Sequence, residues 1–217
     1  DWSSDVCSSD LDRSLFKSRS VPLVYNACMK SKLIYVLCMI GIGALLLLYL
    51  PFLGSIPKIS MDEPAYAITA TEFLRTHSFN NPLWVGSGQQ FFGFPALLAA
   101  AYSLCGISLW VSRFISLLFG ILSLMLIAVL GKQWKWQSKT TALVMGLFIF
   151  NNTFYLVFRS CRPESVTIAL CLLCVWIYEQ RTKNNTWLFL LGTTISLSII
   201  VHPITAFSAI FWGAVVA

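Results

Sequence analysis

Long apolar runs separated by short polar segments dominate the chain. A helix crosses the ~30 Å hydrocarbon core of a bilayer when it holds roughly 17–25 mostly apolar residues. We predict five complete spans and one incomplete span, at residues 33–53, 111–130, 141–157, 165–178, 187–201 and 204–217. Because the last run stops after fourteen residues, we expect the sequence to be the N-terminal part of a larger protein, truncated at its C-terminus.

The segment between the first two spans, residues 54–110, is predicted to be an outer loop that carries surface helices. Tyr66, Ala70, Phe73 and Leu74 recur at helical spacing with polar residues between them, a pattern typical of an amphipathic helix lying along a membrane surface. The apolar stretch Phe91–Leu109 contains Pro95, two glycines and two serines. It is compatible either with a further span or with a second surface helix.

The composition excludes an ordinary soluble domain. Hydrophobic residues make up 57% of the 217 positions and charged residues 11%, and the mean hydropathy is +0.75. We therefore predict an all-α, polytopic membrane protein. The net charge of +6 comes from basic residues scattered beside apolar runs, which does not indicate nucleic acid. Residues 1–11 are polar and without helical period, and we interpret them as an adapter-derived artefact.

The basic residues decide between the two interpretations of Phe91–Leu109. If this stretch lies on the outer surface, the cytoplasmic side, including the N-terminal segment 12–32, receives ten of the fifteen lysines and arginines. If it spans, the split is eight against seven. The positive-inside rule favours the surface position. The acidic residues at 62–63, Arg113, the polar segment 159–165 and His202 then all fall on the outer, non-cytoplasmic face.

Two adjacent carboxylates, Asp62 and Glu63, precede the predicted surface helix. Pro64 disfavours helical geometry at Glu63 and suits the first position of a helix, so we predict that the helix begins at Pro64. The positive end of the helix dipole stabilises carboxylates there. They are candidates for general bases or metal ligands, or they simply cap an interfacial helix and face water.

The segment RSCRPES, residues 159–165, forms a second polar cluster. Two guanidinium groups beside a helix N-terminus suit a phosphate, which makes Arg159 and Arg162 candidates, and Glu164 opens the next span. The alternative is interfacial anchoring, with Glu164 neutralising one arginine. Tyr66 and His202 are weaker candidates. A lone interfacial histidine such as His202 is more often structural.

These segments, in their order and spacing, resemble the GT-C membrane glycosyltransferases. The resemblance is to the branch that holds protein O-mannosyltransferases, aminoarabinose transferases and lipopolysaccharide-core transferases. It rests on DEPAYAITATEFL at 62–74, on the helix-opening Arg-x-x-Arg-Pro-acid motif, and on GFPALLAAAYSLCGISLWVSRFISLLFGILSLML at 93–126. The last stretch supplies Pro95, Leu97, Gly106, Arg113 and Ser116, and the resemblance covers residues 30–202.

The resemblance implies a transmembrane helical bundle with amphipathic juxtamembrane helices in its first outer loop. It implies an enzyme that moves a sugar, with inversion, from a polyprenyl-phosphate donor to an acceptor hydroxyl. Asp62 would be the general base or the carboxylate that orients the acceptor, and Glu63 would assist it or help hold a divalent metal such as Mg²⁺ or Mn²⁺. The implied donor site consists of Arg113, Arg159, Arg162 and Glu164.

The sequence leaves other functions open. A transporter or lipid flippase is the alternative, although transporters tend to place polar groups at the membrane midplane within repeated halves, and no repeat is evident here. A noncatalytic membrane scaffold is a third interpretation. We expect the partners to be the lipid bilayer, the lipid-linked sugar and an unidentified acceptor, and the location to be a bacterial inner membrane with the site facing outward.

Overall fold

The computed structural model describes residues 36, 39–44, 46–55, 57–59, 62–79, 92–180, 184, 186–202 and 205. These residues form helices joined by short connections and no β-strand, which confirms the all-α prediction for this part of the chain. The helices are α1 (Met39–Tyr49), α2 (Asp62–Thr76), α3 (Gly93–Cys105), α4 (Leu109–Gln133), α5 (Ser138–Phe150), α6 (Asn152–Arg159), α7 (Glu164–Gln180) and α8 (Thr186–Val201).

Helix α4 is the centre of the structure and contacts α3, α5, α6 and α7. Its buried face carries small residues, Ser112, Ser116, Gly120 and Ser123, at the spacing that places them on one side of a helix. Small side chains let neighbouring helices approach closely. A Cβ atom at Gly120 would lie 3.0 Å from Cγ of Phe158 on α6, so the Phe158 ring occupies the space that the glycine leaves.

Three apolar clusters hold the helices together. The largest joins α1, α4, α5 and α6 around Leu117, Leu124 and Phe158. A second packs α2 and α3 against α4 and the start of α7 around Phe94 and Leu98. The third joins α7 to α8. The second cluster fixes the start of α2 beside the connection between α6 and α7.

Helix α4 is the described helix that is long and apolar enough by itself to cross a membrane. The pair α5 and α6 would count as a second if its two parts form one span. The predicted span 141–157 is not one continuous helix, since the chain bends by 63° at Asn151. The Asn151 side chain accepts hydrogen bonds from the Thr153 and Phe154 amides and so starts a new helix, α6.

The other predicted elements agree with the structure to different degrees. The predicted spans 165–178 and 187–201 correspond to α7 and α8, and 111–130 lies within α4. The described part of the predicted span 33–53 contains α1, which is followed by a turn at 51–55. The predicted surface helix begins at Asp62 rather than Pro64, so Glu63 is helical after all. Residues 1–35, and 204–217 apart from Thr205, lie outside the described residues.

In the described part of the stretch Phe91–Leu109, residues 92–108 hold one helix, α3, of 13 residues, and Leu109 begins α4. At 1.5 Å per residue α3 is about 20 Å long, which is shorter than the ~30 Å hydrocarbon core. It ends at Gly106, whose φ of 84° lies in the region that favours glycine. Ser108 then starts α4 by accepting a hydrogen bond from the Val111 amide at 3.1 Å. Like each described helix except α4, α3 is therefore too short to cross that core as one straight helix.

Candidate functional site

The two polar motifs of the sequence meet in the folded chain. Asp62 and Glu63 begin α2, and Cys161 and Arg162 lie in the connection between α6 and α7. The Arg162 guanidinium donates to the Asp62 carboxylate, and the Cys161 amide donates to Glu63 Oε1 at 2.7 Å. Residues about one hundred positions apart in the chain therefore form a single site with two layers, one partly exposed and one buried.

The buried layer is an ion pair between Glu63 and Arg113. Arg113 Nε donates to Glu63 Oε1 at 2.9 Å and Arg113 Nη2 donates to Glu63 Oε2 at 2.8 Å. The two side chains are 1% and 0% exposed. The remaining donors of Arg113 reach the carbonyl oxygens of Leu53 at 2.8 Å and Pro57 at 2.9 Å. Arg113 therefore joins α4, α2 and the segment that follows α1, and it has no surface to offer a ligand.

Arg159 is directed away from the acidic residues and toward α1. Its Nη1 donates to the Leu48 carbonyl at 3.2 Å and to the Tyr155 hydroxyl at 2.9 Å, and its Nη2 donates to the Pro51 carbonyl at 2.6 Å. The residue is 4% exposed. Its contacts bind one carbonyl group in the last turn of α1 and one in the turn that follows, and the C-terminal end of a helix is a favourable place for a cation. Arg159 therefore stabilises the fold at the end of α1 in this arrangement.

The partly exposed layer consists of Asp62, Arg162 and Glu164, with side chains 45%, 32% and 34% exposed. Arg162 Nε lies 4.0 Å from Glu164 Oε1. Burial lowers the pKa of Arg162, but the hydrogen bond to Asp62 and the charge of Glu164 outweigh it, so the pKa is raised overall. Of the three arginines that the sequence motifs supply, Arg162 is the one that solvent reaches.

Hydrogen-bonding capacity remains in this layer. The buried side-chain atoms without a hydrogen-bond partner among the described residues are Arg162 Nε and Glu164 Oε2 in this layer, and Arg159 Nε outside it. A buried polar atom without a partner is costly, so both atoms in this layer favour an additional polar contact. The layer therefore offers a donor and an acceptor within one small region, a combination suited to a polar ligand that carries both hydroxyl and phosphate groups.

Tyr66 and His202 lie close enough to the partly exposed layer to be affected by its charges. Burial, followed by the charges of Glu164 and Asp62, raises the pKa of Tyr66 to about 12, so its hydroxyl stays protonated at neutral pH. Burial lowers the pKa of His202, although Glu164 acts in the opposite direction, which keeps the imidazole neutral. Both weaker candidates from the sequence thus lie within electrostatic range of Arg162 and Glu164.

Some groups at the site carry no sequence signal. The Cys161 amide is a backbone donor and could not be recognised from residue types. Ser116 is a motif residue, and its hydroxyl faces the amide and carbonyl of Arg162 at 3.4 Å and 3.5 Å, which holds the α6–α7 connection against α4. The Cys161 thiol is buried, and burial followed by the charge of Glu63 raises its pKa to about 12.

A divalent metal held by Asp62 and Glu63 together does not fit this arrangement. Both Glu63 oxygens already accept from Arg113, and Oε1 also accepts from the Cys161 amide. A cation bound there would face a buried guanidinium. In the part of the chain that the structure describes, no group of three or more His, Cys, Asp or Glu side chains could hold a metal ion. We assign no metal-dependent role to Glu63.

No family model, curated protein or solved structure matches this chain. Its function therefore has to be argued from the site itself.

Proposed function

We propose that the chain is part of a membrane glycosyltransferase that uses a polyprenyl-phosphate-linked sugar as its donor. The observation that carries the proposal is the pairing of Asp62 with Arg162 at the solvent-accessible edge of an otherwise apolar helical bundle. Displacement of a lipid phosphate by a hydroxyl needs a base for the hydroxyl and a cation for the phosphate. The pair supplies both within one contact.

The outer surface of the helices supports the membrane part of this proposal. Leu118, Leu122, Met125 and Val129 are exposed on α4 and follow each other along one helix face. Leu143, Leu147 and Phe150 continue the exposed apolar surface on α5. Soluble monomers rarely expose apolar surface of this extent. We therefore propose a polytopic protein whose apolar faces contact lipid.

The charge distribution supports the orientation that we propose. The surface position of α3 leaves ten of the fifteen lysines and arginines on the cytoplasmic side. In this orientation the site faces away from the cytoplasm, where a lipid-linked sugar is a suitable donor because soluble nucleotide sugars are made inside the cell. We place it in a bacterial inner membrane.

In the proposed reaction, Asp62 accepts the proton of the acceptor hydroxyl as its oxygen attacks the anomeric carbon of the sugar. The bond between that carbon and the phosphate oxygen breaks, and the polyprenyl phosphate leaves with the electron pair. Arg162 donates hydrogen bonds to the phosphate oxygens as their negative charge increases. One displacement inverts the configuration at the anomeric carbon, and no covalent enzyme intermediate forms.

The remaining residues of the partly exposed layer suit the sugar. Glu164 can accept from a sugar hydroxyl, the protonated Tyr66 hydroxyl can donate, and the neutral His202 imidazole can do either. Arg113 and Arg159, which the resemblance places in the donor site, are buried and hydrogen-bonded elsewhere. Their place in the proposal is structural, and phosphate binding is assigned to Arg162.

The test uses the complete protein in lipid vesicles with a panel of radiolabelled polyprenyl-phosphate hexoses and pentoses. Asp62→Asn should reduce sugar transfer by about 10²–10⁴-fold, the usual contribution of a general base. Glu72→Gln is the matched control, since Glu72 lies on the same helix and pairs with exposed Arg75, and it should transfer normally. Full transfer by Asp62→Asn would remove Asp62 from the mechanism. If the wild-type protein transfers sugar from none of these donors, the proposed function is refuted.

A further inference from the structure

We infer that Glu63 and Arg113 form a buried positioning pair, which holds Asp62 and Arg162 at the separation that the reaction needs. The catalytic part of this inference rests on the proposed function. Glu63 then has a role different from that of a base or a metal ligand, and Arg113 a role different from phosphate binding.

A hydrogen bond between a backbone amide and a side chain connects the neighbours of the two reacting groups. Glu63 directly follows Asp62, and Cys161 directly precedes Arg162. The hydrogen bond from the Cys161 amide to Glu63 Oε1, 2.7 Å long, therefore joins the chain neighbours of the two reacting groups. Since a peptide unit is rigid, a shift of this hydrogen bond would move the backbones of Asp62 and Arg162 relative to each other.

Arg113 holds the Glu63 side chain in place. The Glu63 carboxylate accepts two hydrogen bonds from Arg113, from Nε at 2.9 Å and from Nη2 at 2.8 Å. A bidentate pair of this kind fixes orientation as well as distance. Arg113 is fixed in turn by the carbonyl oxygens of Leu53 and Pro57, so that each guanidinium nitrogen is bonded. The Glu63 carboxylate has little freedom to rotate.

Stability does not by itself account for the buried pair. A fully buried ion pair is often no more stabilising than well-packed apolar side chains of similar volume, whereas removal of one partner alone is strongly destabilising. Geometry does account for the pair, because apolar side chains in the same volume would fill the space without accepting the Cys161 hydrogen bond.

This difference separates a positioning role from a merely structural one. We would prepare the complete protein with Glu63→Met, with Arg113→Met, and with both substitutions. Each single variant leaves one buried charge alone and should unfold at a lower temperature than the double variant. If the pair were only structural, sugar transfer would recover together with stability in the double variant.

We expect the double variant to fold but to remain defective in transfer. A displacement of about 1 Å at a reacting group can reduce the rate about 10²-fold, so kcat should fall by about that factor while KM changes less. Wild-type kcat in a stable double variant would overturn the inference. Glu63→Asp serves as a second variant if the double variant does not fold: it keeps the charge but shortens the side chain, and a wild-type kcat there would also overturn it.

A second measurement does not depend on activity. The rate at which the arginine reagent phenylglyoxal modifies Arg162, followed by peptide mass spectrometry, reports whether Arg162 is paired with Asp62. We expect faster modification in the double variant and in Glu63→Asp, approaching the rate in Asp62→Asn, with exposed Arg75 as the internal reference. An unchanged rate at Arg162 would overturn the positioning role. Failure of the wild-type protein to transfer any sugar would refute the proposed function and leave this measurement valid.

Discussion

The contact between α3 and α8 can be tested by replacing Gly93 with alanine. The added Cβ would lie 2.8 Å from the carbonyl oxygen of Ile200 and 2.9 Å from its carbonyl carbon. Non-bonded carbon atoms pack best at about 3.5–4.0 Å, so the two helices would have to separate by roughly 0.5–1 Å. The obstruction is backbone, which cannot rotate away as a side chain can. Overpacking costs about 1–3 kcal/mol, against at most about 1 kcal/mol gained from replacing glycine in a helix.

Thermal unfolding of the purified protein in detergent measures this effect. Gly93→Ala should lower the midpoint temperature by about 2–8 °C. Gly192→Ala on α8 is the control, because its added Cβ meets nothing within 4 Å, and its midpoint should stay the same or rise. Equal midpoints for the two variants would refute the close approach of Gly93 to Ile200, and with it the packing that brings His202 toward the site.

Two further predictions concern the bend at Asn151 and the histidine at the site. Asn151→Ala removes the acceptor for the Thr153 and Phe154 amides and should cost about 1 kcal/mol of stability in denaturant unfolding, whereas Asn152→Ala should cost much less. Because the pKa of His202 is lower in the folded protein than its usual 6.5, the unfolded chain takes up a proton first as the pH falls, and stability should decrease below about pH 6.5. His202→Gln should make this decrease smaller when thermal midpoints at pH 7.5 and pH 5 are compared; an identical decrease would contradict the lowered pKa.

The helices at 165–178 and 187–201 could be predicted because their apolar runs contain no charged residue, and the run 111–130 is long and apolar apart from Arg113 near its start. The prediction of a span at 141–157 did not include the 63° bend at Asn151, since residues on both sides of Asn151 are apolar and hydropathy does not record a change of direction. A readable signal is present, because asparagine is a strong N-cap residue. A hydropathy average over the whole run does not register this single asparagine.

The site could be predicted in part. The charge distribution predicted that the acidic pair and the RSCRPES segment lie on one face. The structure places the two segments in contact. The charge distribution could not separate the adjacent residues Asp62 and Glu63. Successive residues of a helix point in directions about 100° apart, and the buried one is decided by partners 50 and 98 positions away, Arg113 and Cys161. The same long-range contacts decide which arginine solvent reaches.

The contact between Asp62 and Arg162 also constrains how the chain passes through a bilayer, if the bundle lies in one as proposed. Two residues in contact lie on the same side, so the chain between them crosses an even number of times. Helix α4, with 25 residues, is long enough to cross, and the bent pair α5 and α6 supplies the return. A crossing by α3 would make the number odd and separate the two residues by the full membrane. With the bent pair counted as one span, the ion pair therefore agrees with the arrangement that we propose, in which α3 lies on the surface beside α2.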